Sequence, residues 1–253
     1  MVATLTINRP DRNNAFDLSM VAEMHGAWDE IEADPRVRVV IIRSALPRVF
    51  VAGGDIEAMR DLGLEDGMRF VYAGHELFRR LERSERVVIA AVGGYALGGG
   101  TELALACDLR VASTSAVFGQ PETSLGLLPG WGGTQRLSRA IGESRAKDLI
   151  LTARRIGAEE AYAIGLVNRL CQPEELDQEA LDLANAILAN APMAVMRAKR
   201  AITEGSRVSL DQGLVIEAEA WLANLASPDR VEGLSAFLEK RKPRFASLGQ
   251  EGQ

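Results

Sequence analysis

Short β-branched runs separated by helix-length amphipathic stretches constrain the fold of this chain more than any other feature. Val37-Arg38-Val39-Val40-Ile41-Ile42 and Val87-Val88-Ile89-Ala90-Ala91-Val92 are nearly continuous apolar segments of strand length. Such runs suit strands covered on both faces in a mostly parallel sheet. Helical patterns lie between them. One runs from Ser19 to Ala33 with Ser19 as its expected cap, and another from Leu64 to Arg83 sets Phe70, Gly74, Leu77 and Leu81 along one stripe. Asp108 to Ser113 and Val117-Phe118 read as further short strands. The β-then-α alternation predicts an α/β layer structure over the first two thirds of the chain.

After Cys171-Gln172-Pro173 the pattern is helical only, with segments over Glu174 to Asn190, Pro192 to Glu204, Leu210 to Ala226 and Pro228 to Lys240. Leu210, Leu214, Glu217, Trp221 and Leu225 share one face of the third, which must be covered by the core or by another subunit. At 253 residues and 47% hydrophobic, the chain can bury one α/β core with an appendage, or two modest domains. No internal repeat is visible, and disorder is expected only over residues 247–253.

Several function classes are disfavoured. No apolar run approaches the roughly 20 residues of a membrane span, and the start lacks a signal peptide's basic-then-apolar layout, so a cytoplasmic protein with no membrane partner is expected. The net charge of −6 argues against a nucleic-acid surface. Arg79-Arg80 and Lys240-Arg241-Lys242 are local basic spots, read either as solvated helix faces or as contacts for a phosphorylated small molecule. Cys107 and Cys171 lack the spacing of a metal site and are expected as reduced thiols, and His25 and His75 have no accompanying ligand cluster, so no metal site is expected.

Two acids stand out from their surroundings. Glu102 follows Gly98-Gly99-Gly100-Thr101 at the head of an apolar helical stretch, and Glu122 ends Phe118-Gly119-Gln120-Pro121-Glu122 just ahead of Leu128-Pro129-Gly130-Trp131-Gly132-Gly133. Two carboxylates held together in a poorly solvated cleft divide a proton, because ionising one raises the pKa of the other. The glycines at 98–100 offer unblocked backbone N–H groups at the positive end of a helix. Val51-Ala52-Gly53-Gly54-Asp55-Ile56 is a second glycine turn able to supply another donor, and two donors on one carbonyl oxygen make an oxyanion hole. Taken singly, these features also fit purely structural roles: glycines that open a helix, an acid complementing a dipole, a capped turn at Gln120-Pro121-Glu122.

Jointly, they resemble the enoyl-CoA hydratase/isomerase (crotonase) superfamily. The similarity runs from Thr4 to about Lys242 through Ile7-Asn8-Arg9-Pro10 with Asn14-Ala15, Phe50 to Ile56, Ala96 to Leu103, Phe118 to Glu122, Pro129 to Leu137, Ala161 to Val167 and Ala236 to Lys242. The resemblance implies an α/β fold built as a crotonase-like spiral of ββα units with a C-terminal helical trimerisation region. Residues 1–190 would form the core with the active site and 191–253 the oligomerisation region. It implies an acyl-CoA thioester substrate, a homotrimer or dimer of trimers, and no cofactor, coenzyme A being part of the substrate. On matching positions, the N–H groups of Gly54 and Gly99 hold the thioester oxygen, Glu102 activates the water that adds at C3, and Glu122 delivers the proton to C2. Ala52, Gly54, Asp55, Ile56, Gly99 and Trp131 are the expected substrate contacts. Phe237 and Lys240 match residues that contact the CoA nucleotide, often from a neighbouring subunit.

Having both acids favours hydration, with the closest likeness to short-chain enoyl-CoA hydratases. An enoyl-CoA isomerase or a specialised acyl-CoA dehydratase is the alternative. A noncatalytic RNA-binding relative is more distant, given the acidic balance and the retained acids. Trp131 between glycines reads equally as a limit on the acyl chain and as buried packing. Relatives usually carry Gly-Ala-Asp where this chain has Gly53-Gly54-Asp55, and a basic residue where Glu57 stands. They also have an extra strand before Val2 to Ile7, so the edge of a first hairpin is expected to be unpaired.

Overall fold

The computed structural model describes residues 1–245. In it the chain enters through β1 (Val2–Ile7), crosses over by α1 (Leu18–Ala33) and then repeats one device three times. β2 (Val39–Ser44) and β3 (Val49–Val51) are followed by α2 (Ile56–Arg60) and α3 (Leu64–Arg83). β4 (Val87–Val92) and β5 (Tyr95–Leu97) are followed by α4 (Gly99–Ala106), and β6 (Leu109–Ser113) and β7 (Val117–Gly119) by α5 (Gly133–Ile141). Then come α6 (Glu143–Thr152), β8 (Arg155–Gly157), α7 (Ala158–Ala163), β9 (Arg169–Cys171), α8 (Leu176–Leu188), α9 (Pro192–Gly205), α10 (Leu210–Leu225) and α11 (Pro228–Leu238).

In each ββα unit the long first strand joins one sheet and the short second strand joins another. The larger sheet has the order β1-β2-β4-β6-β9 and the smaller β3-β5-β7-β8. Every pairing is parallel except β7 with β8. This is the expected spiral, repeated in structure without a repeat in sequence. β4 is buried at every residue, as its unbroken apolar run requires.

Two expectations need correction. Asp17, not Ser19, caps α1: Asp17 is extended and its carboxylate accepts from Met20 N–H at 2.8 Å, whereas Ser19 is already inside the helix. No first hairpin exists, because β1 and β2 are joined by a full helical crossover and run parallel. Among the described residues β1 is nevertheless an edge strand, paired with β2 alone.

Asn14 explains why the segment after β1 is so particular. It sits at φ 58° and is fully buried. Its amide donates to Ser44 Oγ at 2.8 Å and Phe50 O at 3.0 Å, and its oxygen accepts from Arg9 N–H at 2.7 Å. Asn is among the few non-glycine residues that tolerate this conformation, and its side chain bonds the start of the chain to β2 and β3. Arg9 adds ion pairs to Asp17 at 2.6 Å and Asp55 at 3.1 Å, anchoring the turn that carries Gly54.

The C-terminal helices fall within about two residues of the expected bounds. α9 is fastened to the core by Lys199, whose buried side chain brings Nζ to Asp108 Oδ2 at 2.7 Å and Arg86 O at 2.7 Å. On α10, Leu210, Leu214 and Trp221 are exposed, Trp221 by 63%, so among the described residues the apolar face read from the sequence is left uncovered. The disorder expected over 247–253 lies outside the described residues. Both cysteines are free, and burial pushes the Cys107 thiol up to about 12, which makes it unreactive. Among the described residues no helix is long and apolar enough to cross a membrane.

Candidate active site

The smaller sheet brings the chemistry together. β3, β5 and β7 are adjacent and parallel, so their carboxyl ends lie side by side. Gly54 follows β3, Gly99 and Glu102 follow β5, and Glu122 follows β7. Ligand sites in parallel sheets lie beyond such strand ends. Thr101 locks two of the three segments in register: its hydroxyl lies 2.6 Å from Ala96 O and 3.0 Å from Gly119 O, while Gly98 N–H donates to Gly119 O at 2.9 Å.

Gly54, Gly99, Glu102 and Glu122 line one cavity of about 300 Å³, whose other walls are Met59, Leu62, Gly67, Phe70, Val71, Leu127, Leu128, Gly130 and Trp131. The two glycine turns touch, since a Cβ built on Gly99 would lie 3.7 Å from the Gly53 carbonyl carbon. Among the described residues no backbone or side-chain acceptor takes the N–H of Gly54 or Gly99. Phe16 bonds to the residues on either side of Gly54, donating to Gly53 O at 2.7 Å and accepting from Asp55 N–H at 2.8 Å. The Gly54 amide is therefore fixed but unspent. Gly54 also leaves room for Met59, because an added Cβ would come within 2.4 Å of its sulfur.

Glu102 is 2% exposed. Its Oε1 accepts from Trp131 N–H at 2.8 Å and Gly133 N–H at 2.7 Å, which leaves Oε2 for the cavity. Burial raises its pKa, while those two N–H groups and the charge of Arg136 pull the other way. Glu122 is the second residue of the short 3-10 turn Pro121–Leu125 and is half-buried. Burial chiefly, and the neighbouring Glu102 charge as well, lift its pKa to about 7 against the pull of its own backbone N–H. A carboxyl poised there is both donor and acceptor near neutrality.

Three supports escape a reading of the sequence. Gln120 is fully buried, and with its amide nitrogen turned to Glu122 it donates at 2.9 Å to Oε1 and 3.1 Å to Oε2. The N–H groups of Trp131 and Gly133 that hold Glu102 belong to the backbone and carry no side-chain signal. Arg136 in turn donates to Trp131 O at 2.7 Å and pairs with Glu82 at 2.6 Å, fixing that turn from behind.

Not every expected contact is at the cavity. Asp55 is turned away from it, pairing with Arg9 and Arg12 and capping α2 through Ala58 N–H at 3.3 Å. Ala52 and Ile56 are exposed beside the turn and do not line the cavity. Glu57, standing where a basic residue was expected, is engaged by Arg12 at 2.6 Å. Phe237 and Lys240 are exposed and lie outside the cavity wall of their own chain. Of the basic spots, Arg80 is spent on Asp29 and Glu32, and Arg241 on Glu232 and Glu239.

Residues 1–248 match the family model described as enoyl-CoA hydratase/isomerase. The chain is 48% identical to the short-chain-enoyl-CoA hydratase of Clostridium acetobutylicum, over 95% of this chain and 92% of that protein. It is 46% identical to the crotonyl-CoA hydratase of Syntrophomonas wolfei, over 97% and 95% respectively. A crystal structure of an enoyl-CoA hydratase from Bacillus anthracis superposes with a TM-score of 0.93 at 41% identity, covering 96% of this chain and 95% of that one.

Proposed function

The chain belongs to the enoyl-CoA hydratase/isomerase family, and on that footing we propose that it adds water reversibly to a trans-2-enoyl-CoA to give the 3-hydroxyacyl-CoA, with Glu102 and Glu122 as the acid–base pair. The observation that carries this reading is the meeting of both carboxyl groups and the two unspent glycine amides on one small cavity.

The thioester oxygen accepts from Gly54 N–H and Gly99 N–H, which draws electron density toward the carbonyl and leaves C3 electrophilic. Glu102 takes one proton from a water as its oxygen bonds to C3. The negative charge that builds on the thioester oxygen meets donors already aimed at it, and loss of one such donor typically costs about 10²–10³ in rate. Glu122 gives its proton to C2 as the enolate collapses. The pair holds one proton before and after, moved from one acid to the other, and exchange with solvent resets it. The raised pKa of Glu122 supports its donor role, and the two N–H bonds on Glu102 Oε1 support the role of its other oxygen as base.

Assembly forms part of the same proposal. Residues 191–253 act as an oligomerisation region making a homotrimer or dimer of trimers, which would cover the exposed face of α10 and bring Phe237 and Lys240 to the CoA nucleotide of a neighbouring site. Sedimentation equilibrium returning the mass of a single chain would remove this part.

Mixing purified protein with crotonyl-CoA should bleach the absorbance of the conjugated thioester. A 3-enoyl thioester converted instead to its 2-enoyl isomer, with no hydration, would favour the isomerase. Inert thioesters of every chain length would point to a specialised substrate.

A further inference from the structure

Resting on the hydratase reading, we propose that Trp131, seated on Gly74, is the stop that sets acyl-chain length and confines the site to short enoyl groups such as crotonyl. Gly74 lies in the interior of α3 at an ordinary helical position, where glycine is less favourable than alanine by about 0.5–1 kcal/mol. No backbone requirement explains it. A Cβ at that position would fall 2.2 Å from Cδ2 and Cε2 of the Trp131 indole, so the missing side chain is what lets the ring lie there.

Away from the cavity the ring is held by its neighbours. Its N–H donates to Phe70 O at 3.1 Å. Its centroid lies 4.9 Å from Phe16, 4.7 Å from Phe70 and 5.4 Å from Phe78, so it cannot swing out of an incoming chain's path without breaking an aromatic cluster. It also stands beside the reacting centre, because a Cβ built on Gly99 would be 3.6 Å from indole Cε3. The cavity it bounds, about 300 Å³, is at the lower end of the roughly 300–1,000 Å³ typical of small-molecule pockets. That space must already hold the thioester, the attacking water and the acid oxygens.

The test compares kcat/KM for crotonyl-, octenoyl- and decenoyl-CoA in the wild type, in Trp131→Ala and in Trp131→Ala combined with Gly74→Leu. The octenoyl-to-crotonyl ratio should rise at least about tenfold in the single variant, the scale on which pocket volume discriminates chain lengths. A leucine grown from position 74 into the vacated space should bring the ratio back. A uniform fall at all three lengths, as loss of mere packing would give, overturns the proposal. So does a wild type that handles decenoyl-CoA as well as crotonyl-CoA. If Trp131→Ala does not fold, Trp131→Phe carries the same test with a smaller rise expected. A wild type inert toward all three thioesters would instead remove the hydratase reading on which the stop depends.

Discussion

Glu102→Gln and Glu122→Gln should each lower kcat for hydration of crotonyl-CoA by about 10²–10⁴, the usual weight of a positioned acid or base. The substitution isolates the chemistry at both positions. At 102 the amide oxygen can go on accepting from Trp131 N–H and Gly133 N–H while the cavity-facing atom becomes an amide nitrogen that binds no proton. Because burial disfavours the charged form of Glu102, a neutral side chain of the same shape should fold without loss of stability. At 122 the amide keeps the volume and loses the transferable proton and one acceptor of the Gln120 amide, which can compensate by turning its own oxygen to the new nitrogen. Unchanged melting temperatures with collapsed turnover are the expected pair of results. Wild-type turnover in either variant removes that residue from the mechanism.

Gly98→Ala should cost activity and stability together, with about 1–3 kcal/mol lost from the fold and at least about a hundredfold from kcat. Gly98 precedes α4 at φ 50°, ψ −120°, a combination that L side chains do not adopt readily. An added Cβ would also press to 2.8 Å from Glu122 Oε1. The methyl group can be relieved only by moving the acid or by rotating the turn whose next amide, Gly99 N–H, is assigned to the thioester oxygen. Thermal denaturation and crotonyl-CoA kinetics on one preparation check both effects. A variant with native stability and native kcat would mean that the turn has slack, and that the amide is not held as described.

The long elements were legible because their patterns are long. β4 and α3 match their expected bounds, since a six-residue apolar run and a twenty-residue amphipathic stripe leave no competing reading. β3, β5, β7 and β8 have three residues each, too few to display any period, so of the second sheet only Val117-Phe118 was legible. That sheet is what positions the site. Glu102 and Glu122 were conspicuous as acids among glycines and apolar residues. Their meeting depends on β5 lying against β7, which a linear pattern does not express. Gln120 was visible only as part of a motif, because the role of a buried amide depends on which carboxylate it faces. Asp55 illustrates the opposite case: it sits within a site motif, yet its carboxylate is engaged by Arg9, Arg12 and the first turn of α2.

The convergence of the two acids is tested most directly by titrating the carboxyl of Glu122 with ¹³C NMR in the wild type and in Glu102→Gln. The wild-type group should titrate at about 7, held up first by burial and further by the Glu102 charge. Glu102→Gln leaves the burial and deletes that charge, so the Glu122 carboxyl should titrate lower in the variant while remaining above its ordinary 4.5. A Glu122 that titrates in the ordinary carboxylate range, and at the same pH in both proteins, would show that the acids neither share a desolvated space nor sense one another, and would contradict the account.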